Sequence, residues 1–125
     1  MNYAILIYDG PARFAKRSDP QHQPEVFGAI MRYIDELKQA GVYVDGAGLE
    51  PPPQAKTLRI KDGERYVQDG PYADTKEQLG GFFLIDVPDL DTALKWAARL
   101  PQENDRVLEV RPQLTPPAQE SARRA

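Results

Sequence analysis

The stretch Asp69-Gly70-Pro71-Tyr72-Ala73-Asp74-Thr75-Lys76-Glu77-Gln78-Leu79-Gly80-Gly81 gathers many of the side chains able to do chemistry. It is a long polar connector between two apolar runs, where strands are usually joined by far less. Asp69 ends the first run and precedes Gly-Pro. A carboxylate there either bonds the amides of its own bend, as in an Asx-turn, or stands at a pocket mouth to accept a proton or anchor a substrate. Burial beside Phe82, Phe83 or Tyr72 would suit it to general-base work. Tyr72 offers a ring with a hydroxyl tip, which packs the loop onto a sheet or aims into a pocket. Thr75-Lys76-Glu77 fits a short helical turn capped by Asp74 or Thr75, whose amides, with Lys76, would hold an anion. It fits a solvated charged turn equally well. Gly80-Gly81 frees the backbone to turn into the next strand, but lacks phosphate-binding spacing.

His22 is the sole histidine, a candidate for proton transfer or a plain surface residue. Arg59 and Arg32 offer a positive pocket wall or surface ion pairs of little weight. Tyr8, at the end of the first apolar run, is a further pocket candidate, whereas Trp96 reads as packing. Cysteine is absent, which excludes disulfides, thiolate nucleophiles and cysteine-ligated zinc. With one histidine and no close histidine–carboxylate spacing, neither a metal site nor a cofactor is expected.

The elements that must position these residues follow from periodicity. Asn2–Asp9 is an apolar strand closed by Gly10-Pro11. Pro11 to Gln23 shows no clean period and reads as a loop. From Pro24 or Glu25 to Ala40, Val26, Phe27, Ile30, Met31, Ile34 and Leu37 recur at helical spacing, and Gly41 suits the position past the end. Val42–Leu49 begins as a strand, and Pro51-Pro52-Pro53 forces an extended stretch. Ala55–Ile60 and Arg65–Asp69 form a hairpin turning at Asp62-Gly63. Gly81–Val87 is the next strand. Asp89 caps a helix running to Leu100, and Arg106–Arg111 is the last strand. Residues 113–125 read as a mobile tail.

The order predicts an α+β, ferredoxin-like antiparallel sheet with two helices on one face and an inserted β-hairpin. One domain over residues 1–112 accounts for a chain of 125 residues. A sheet covered on one side should alternate apolar with polar, yet Tyr3–Tyr8 and Phe82–Ile85 are apolar on both faces. A second copy related by two-fold symmetry is the simplest cover, so a homodimer is expected. Net charge is −3 with interspersed signs, which argues against direct nucleic-acid binding. Asn2–Tyr8 is too short to span a bilayer and lacks the flanks of a signal peptide. A cytoplasmic protein away from membranes is expected.

Several segments in this order resemble the YCII-related, or DGPF-domain, proteins. They are Tyr3–Tyr8, Gly46–Leu49, Asp69–Val87, and Asp91–Pro101 around Trp96. Tyr72 stands where the signature has Phe. The resemblance implies the dimeric α/β-barrel fold and a pocket between helix and sheet served by an Asp-His pair. Asp69 matches the Asp, and His22, in the loop before the first helix, is the available histidine. It also implies association with extracytoplasmic-function sigma factors, hence a regulatory partner. Two functions follow. One is binding of a small polar ligand near Asp69–Tyr72, extending to a cofactor-free enzyme with Asp69 as acid or base. Tyr8, Arg59, Tyr72, Thr75 and Lys76 would shape that site. The other is a non-catalytic regulatory dimer using the loop as an interaction element.

Overall fold

The computed structural model describes residues 1–101 and 105–115; residues 102–104 and 116–125, which include most of the expected tail, lie outside the described residues. The fold is α+β, built on an antiparallel sheet of β1 (Asn2–Asp9), β2 (Tyr43–Gly48), β5 (Gln78–Asp86) and β6 (Arg106–Pro112). Their spatial order is β2-β5-β1-β6, consistent with a ferredoxin-like arrangement. The inserted hairpin, β3 (Lys56–Lys61) with β4 (Glu64–Asp69), forms its own two-stranded sheet. Its turn is set by Asp62 and Gly63, both at positive φ (52° and 79°), which matches the twist of paired strands.

Two helices cover one face of the main sheet: α2 (Gln23–Gln39) and α3 (Leu90–Ala98). Tyr3, Ile5 and Ile7 on β1 and Phe83 and Ile85 on β5 pack there against Tyr33, Leu37, Ala93 and Ala97. Tyr33 anchors α2 to α3, because its hydroxyl donates to the Trp96 carbonyl at 2.7 Å. Burial pushes its phenol well above the ordinary value. Helix α2 ends at Gln39 with Ala40 as its cap, and the chain then turns through Gly41, whose φ of +73° is costly for most other residues. On the opposite face of the sheet, Ala4, Leu6, Tyr8, Phe82 and Leu84 are half-buried, while Leu79 and Val107 are exposed.

Three expectations need correction. Pro51-Pro52-Pro53 does not stay extended, because Pro52–Gln54 forms a short 3-10 turn. The segment after Gly10 is not a loop throughout: Pro11–Ser18 is helix α1. Proline suits its first turn, and Arg13 and Phe14 are buried on it. The strand expected from Gly81 begins at Gln78, so Gly80 also lies inside β5, and neither glycine has positive φ. They are required by close approach. The β1–β5 register skips Gly80, with Ile7 opposite Gly81 and Tyr8 opposite Leu79, so a bulge sits at this point. No helix of the described residues is long and apolar enough to cross a membrane.

Asp89 caps α3 as its position suggests, accepting from the Thr92 hydroxyl at 2.6 Å and the Thr92 amide at 2.8 Å. These bonds, hydroxyl first, hold its carboxyl below the ordinary value of 3.8. A folded-state value depressed in this way contributes stability above the unfolded value and loses it as pH falls through the folded one. Asp89→Ala is therefore expected to melt below wild type at neutral pH. The gap should close as the pH is taken below 3.8, followed by circular dichroism.

Candidate functional site

Alternation along β1 places Tyr3, Ile5, Ile7 and Asp9 in the same buried phase, so a carboxylate occupies what is otherwise a core position. Opposite it in the ladder stands Arg106. Arg106 donates from Nε to Asp9 Oδ1 at 2.8 Å, from NH2 to Asp9 Oδ2 at 3.5 Å, and from NH1 to the Pro101 carbonyl at 2.6 Å. The two side chains are 2% and 3% exposed. Charges this deep persist only when paired and hydrogen-bonded, and removing one partner is far costlier than replacing both.

This pair borders a cavity of about 260 Å³ between α2 and the sheet. Val26, Phe27, Ile30 and Ile34 of α2 form one wall, and Ile7 and Phe83 the floor. Gly46, Gly48, Gly80 and Gly81 leave the strands bare on the cavity side. Three of these glycines cannot carry a side chain without movement. A Cβ at Gly46 would lie 2.6 Å from the Phe83 ring, one at Gly81 would lie 2.8 Å from the Ala47 carbonyl oxygen, and one at Gly80 would lie 3.0 Å from Asp9 Oδ2 and 3.2 Å from Arg17 Nη1. Arg13 and Arg17, one turn apart on α1, complete the lining. Arg17 reaches from α1 to β5 and the end of β2, donating to the Gly80 carbonyl at 3.2 Å and to the Leu49 carbonyl. The charged side chains thus gather around Gly80, and the rest of the cavity is apolar. Such a site suits a small molecule with one polar end.

The residues singled out from the sequence are dispersed. Asp69, at the end of β4, is not buried beside aromatic rings: its side chain is 86% exposed and pairs with Lys56 across the hairpin. The hairpin pairs only with itself, so the end of β4 projects into solvent. Tyr72 is 74% exposed and stacks with Arg59, whose guanidinium carbon lies 5.1 Å from the ring centroid. Tyr8 lies on the face of β1 away from the cavity. His22 immediately precedes α2, its Nδ1 2.8 Å from Asp19 Oδ2. The Gln21 amide, then the His22 ring, hold the Asp19 carboxyl below its ordinary value. Thr75–Glu77 is a bend rather than a helical turn, with the Thr75 hydroxyl donating to the Glu77 carbonyl at 2.7 Å. Thr75 and Lys76 line a separate hollow with Pro51, Pro52, Pro53 and Phe14. The pocket between helix and sheet therefore exists, but its charged groups are Asp9, Arg13, Arg17 and Arg106. Sequence reasoning missed these four; the signals that could have raised them are a carboxylate at the end of the alternating strand Asn2–Asp9 and two arginines four residues apart on α1.

The sequence profile of the YCII-related domain matches residues 1–114. An uncharacterized protein of Rhizobium meliloti (strain 1021) is 38% identical over 117 residues, which span 90% of this chain and 91% of that protein.

Replacing Asp9 alone by leucine strands a buried guanidinium, an expected loss of about 3–5 kcal/mol. The double replacement Asp9→Leu with Arg106→Met is expected to recover most of that loss. Urea unfolding of the three proteins measures the difference; a double variant no more stable than Asp9→Leu would show that the pair matters beyond its charge balance.

Proposed function

The chain belongs to the YCII-related family, and we propose that it is a small-molecule-binding protein whose ligand lies between α2 and the sheet. The observation that carries this reading is the cavity itself: apolar over most of its wall and edged by a buried ion pair and an arginine latch. A fold selected for packing alone fills such spaces, because interiors are close-packed and voids cost stability. Filling the cavity tests the reading. Ile30→Trp is expected to keep the fold and abolish ligand-induced stabilisation in a thermal-shift screen of small metabolites. Retained stabilisation in that variant would place the ligand elsewhere.

A catalytic extension of this reading keeps Asp69 as acid or base. It would require the exposed end of the hairpin to meet a ligand held in the cavity. Asp69→Asn is accordingly expected to bind ligand as wild type does, and loss of binding in that variant would move the site to the hairpin.

We also propose that two copies pair through the uncovered sheet face as a dimeric α/β barrel. Ala4, Leu6, Tyr8, Phe82, Leu84, Leu79 and Val107 form an apolar surface there that monomers seldom leave in water. Light scattering at micromolar concentration is expected to give twice the 14.1 kDa of one chain, and Leu84→Lys should yield a monomer. A second functional reading, a regulatory protein contacting a partner, is favoured by one observation. Leu58, Ile60, Tyr66 and Val67 of the hairpin are all more than half exposed. A screen without any stabilising ligand would shift weight to that reading.

A further inference from the structure

The charges lining the cavity are not equally engaged. Arg106 is committed to Asp9 and to the Pro101 carbonyl. Arg17 differs. Its NH1 and NH2 each donate to a neutral backbone carbonyl, and its guanidinium carbon lies 5.3 Å from the Phe14 ring centroid. Among the described residues Arg17 has no carboxylate partner. A guanidinium has more N–H donors than these two bonds use, and they lie in a plane that matches a carboxylate. Gly80 keeps the space beside it open, since a Cβ there would come within 3.2 Å of Arg17 NH1.

We propose that the cavity takes a small monocarboxylate with an apolar body, its carboxylate on Arg17 and its body along Val26, Phe27, Ile30 and Phe83. This rests on the ligand site proposed above and adds the chemical class of the ligand. The engagement of Arg17 favours one anionic group: among the described residues its guanidinium meets only neutral carbonyls, and a second anion would meet apolar walls at a steep desolvation cost. The doubly charged head of a phosphate monoester is a poorer match to one guanidinium. Size narrows the choice further. At about 260 Å³ the cavity lies below the range of drug-sized ligand sites, so the body is small. Burial of the apolar body supplies affinity, and the charge-assisted fork supplies orientation.

Isothermal titration of the full chain with a panel of arylcarboxylates, benzoate and phenylacetate among them, and their matched amides tests this. Acids are expected to bind at least tenfold more tightly than amides, with affinity falling as salt is added. Arg17→Gln should remove the preference for acids, and Arg17→Lys should retain part of it. Melting curves of both variants establish that they are folded. Amides that bind as tightly as acids, and are lost in Ile30→Trp, would overturn the carboxylate assignment while leaving the ligand site standing. An Arg17→Gln protein that is folded and still prefers acids would overturn the role of Arg17. Binding by neither panel would overturn the assignment together with a cavity site for small aryl ligands.

Discussion

Asp9 and Arg106 lie 97 residues apart in the chain and face each other across β1 and β6. Their contact sets the terms for everything around it. An ion pair withdrawn from water keeps its charges only if the surrounding backbone supplies the remaining bonds and the geometry is fixed. Here the Pro101 carbonyl, at the end of the α3 region, takes the third bond. The pair thereby ties the first strand, the last strand and the exit from a helix into one corner. That corner is also an edge of the cavity. The contact that ties the fold together thus also borders this hollow.

The cavity shows how a fold keeps space open. Large side chains on α2 would collapse onto the sheet if the strands below carried their own. Instead the strands present glycine, and three of the four, Gly46, Gly80 and Gly81, are hemmed in by a neighbour. Gly46 lies beneath the Phe83 ring, and Gly80 lies against Asp9, Arg17 and Phe14. The bulge that skips Gly80 brings these groups together at the end of β1. Arg17 then spans the gap as a strut bonded to backbone on its far side. The hollow is framed on several sides rather than being a packing defect.

Much of this fold was legible in the sequence. The helical period of α2 places Val26 and Leu37 inside, although Phe27 and Met31 lie more than half exposed and Tyr33 is buried instead. Asp62-Gly63, the Asp89 cap and Gly41 each act locally, through φ/ψ preference or a hydrogen bond a few residues away. Local signals survive being read one segment at a time. Helix α1 was not legible because it is only two turns long and its inward phase includes Arg13 beside Phe14. A charged residue in a buried phase defeats any pattern based on hydrophobicity. Asp9 was missed for the same reason: its partner is supplied by β6, and nothing near it announces the pairing. Asp69, by contrast, carries a conspicuous local context in Asp-Gly-Pro-Tyr. Only topology reveals that its hairpin pairs apart from the main sheet and leaves the carboxylate in solvent.

The position of β1 has a consequence for how the protein comes into being. It precedes both of its neighbours in the sheet, β5 and β6, by most of the domain. On a ribosome, β1 therefore waits for most of the chain before either ladder can form. Contacts this distant in sequence close late and slowly. During that interval an apolar strand ending in an unpaired carboxylate is exposed to whatever else is nearby. A charged residue at the end of an exposed apolar strand is the kind of gatekeeper that opposes pairing with other chains.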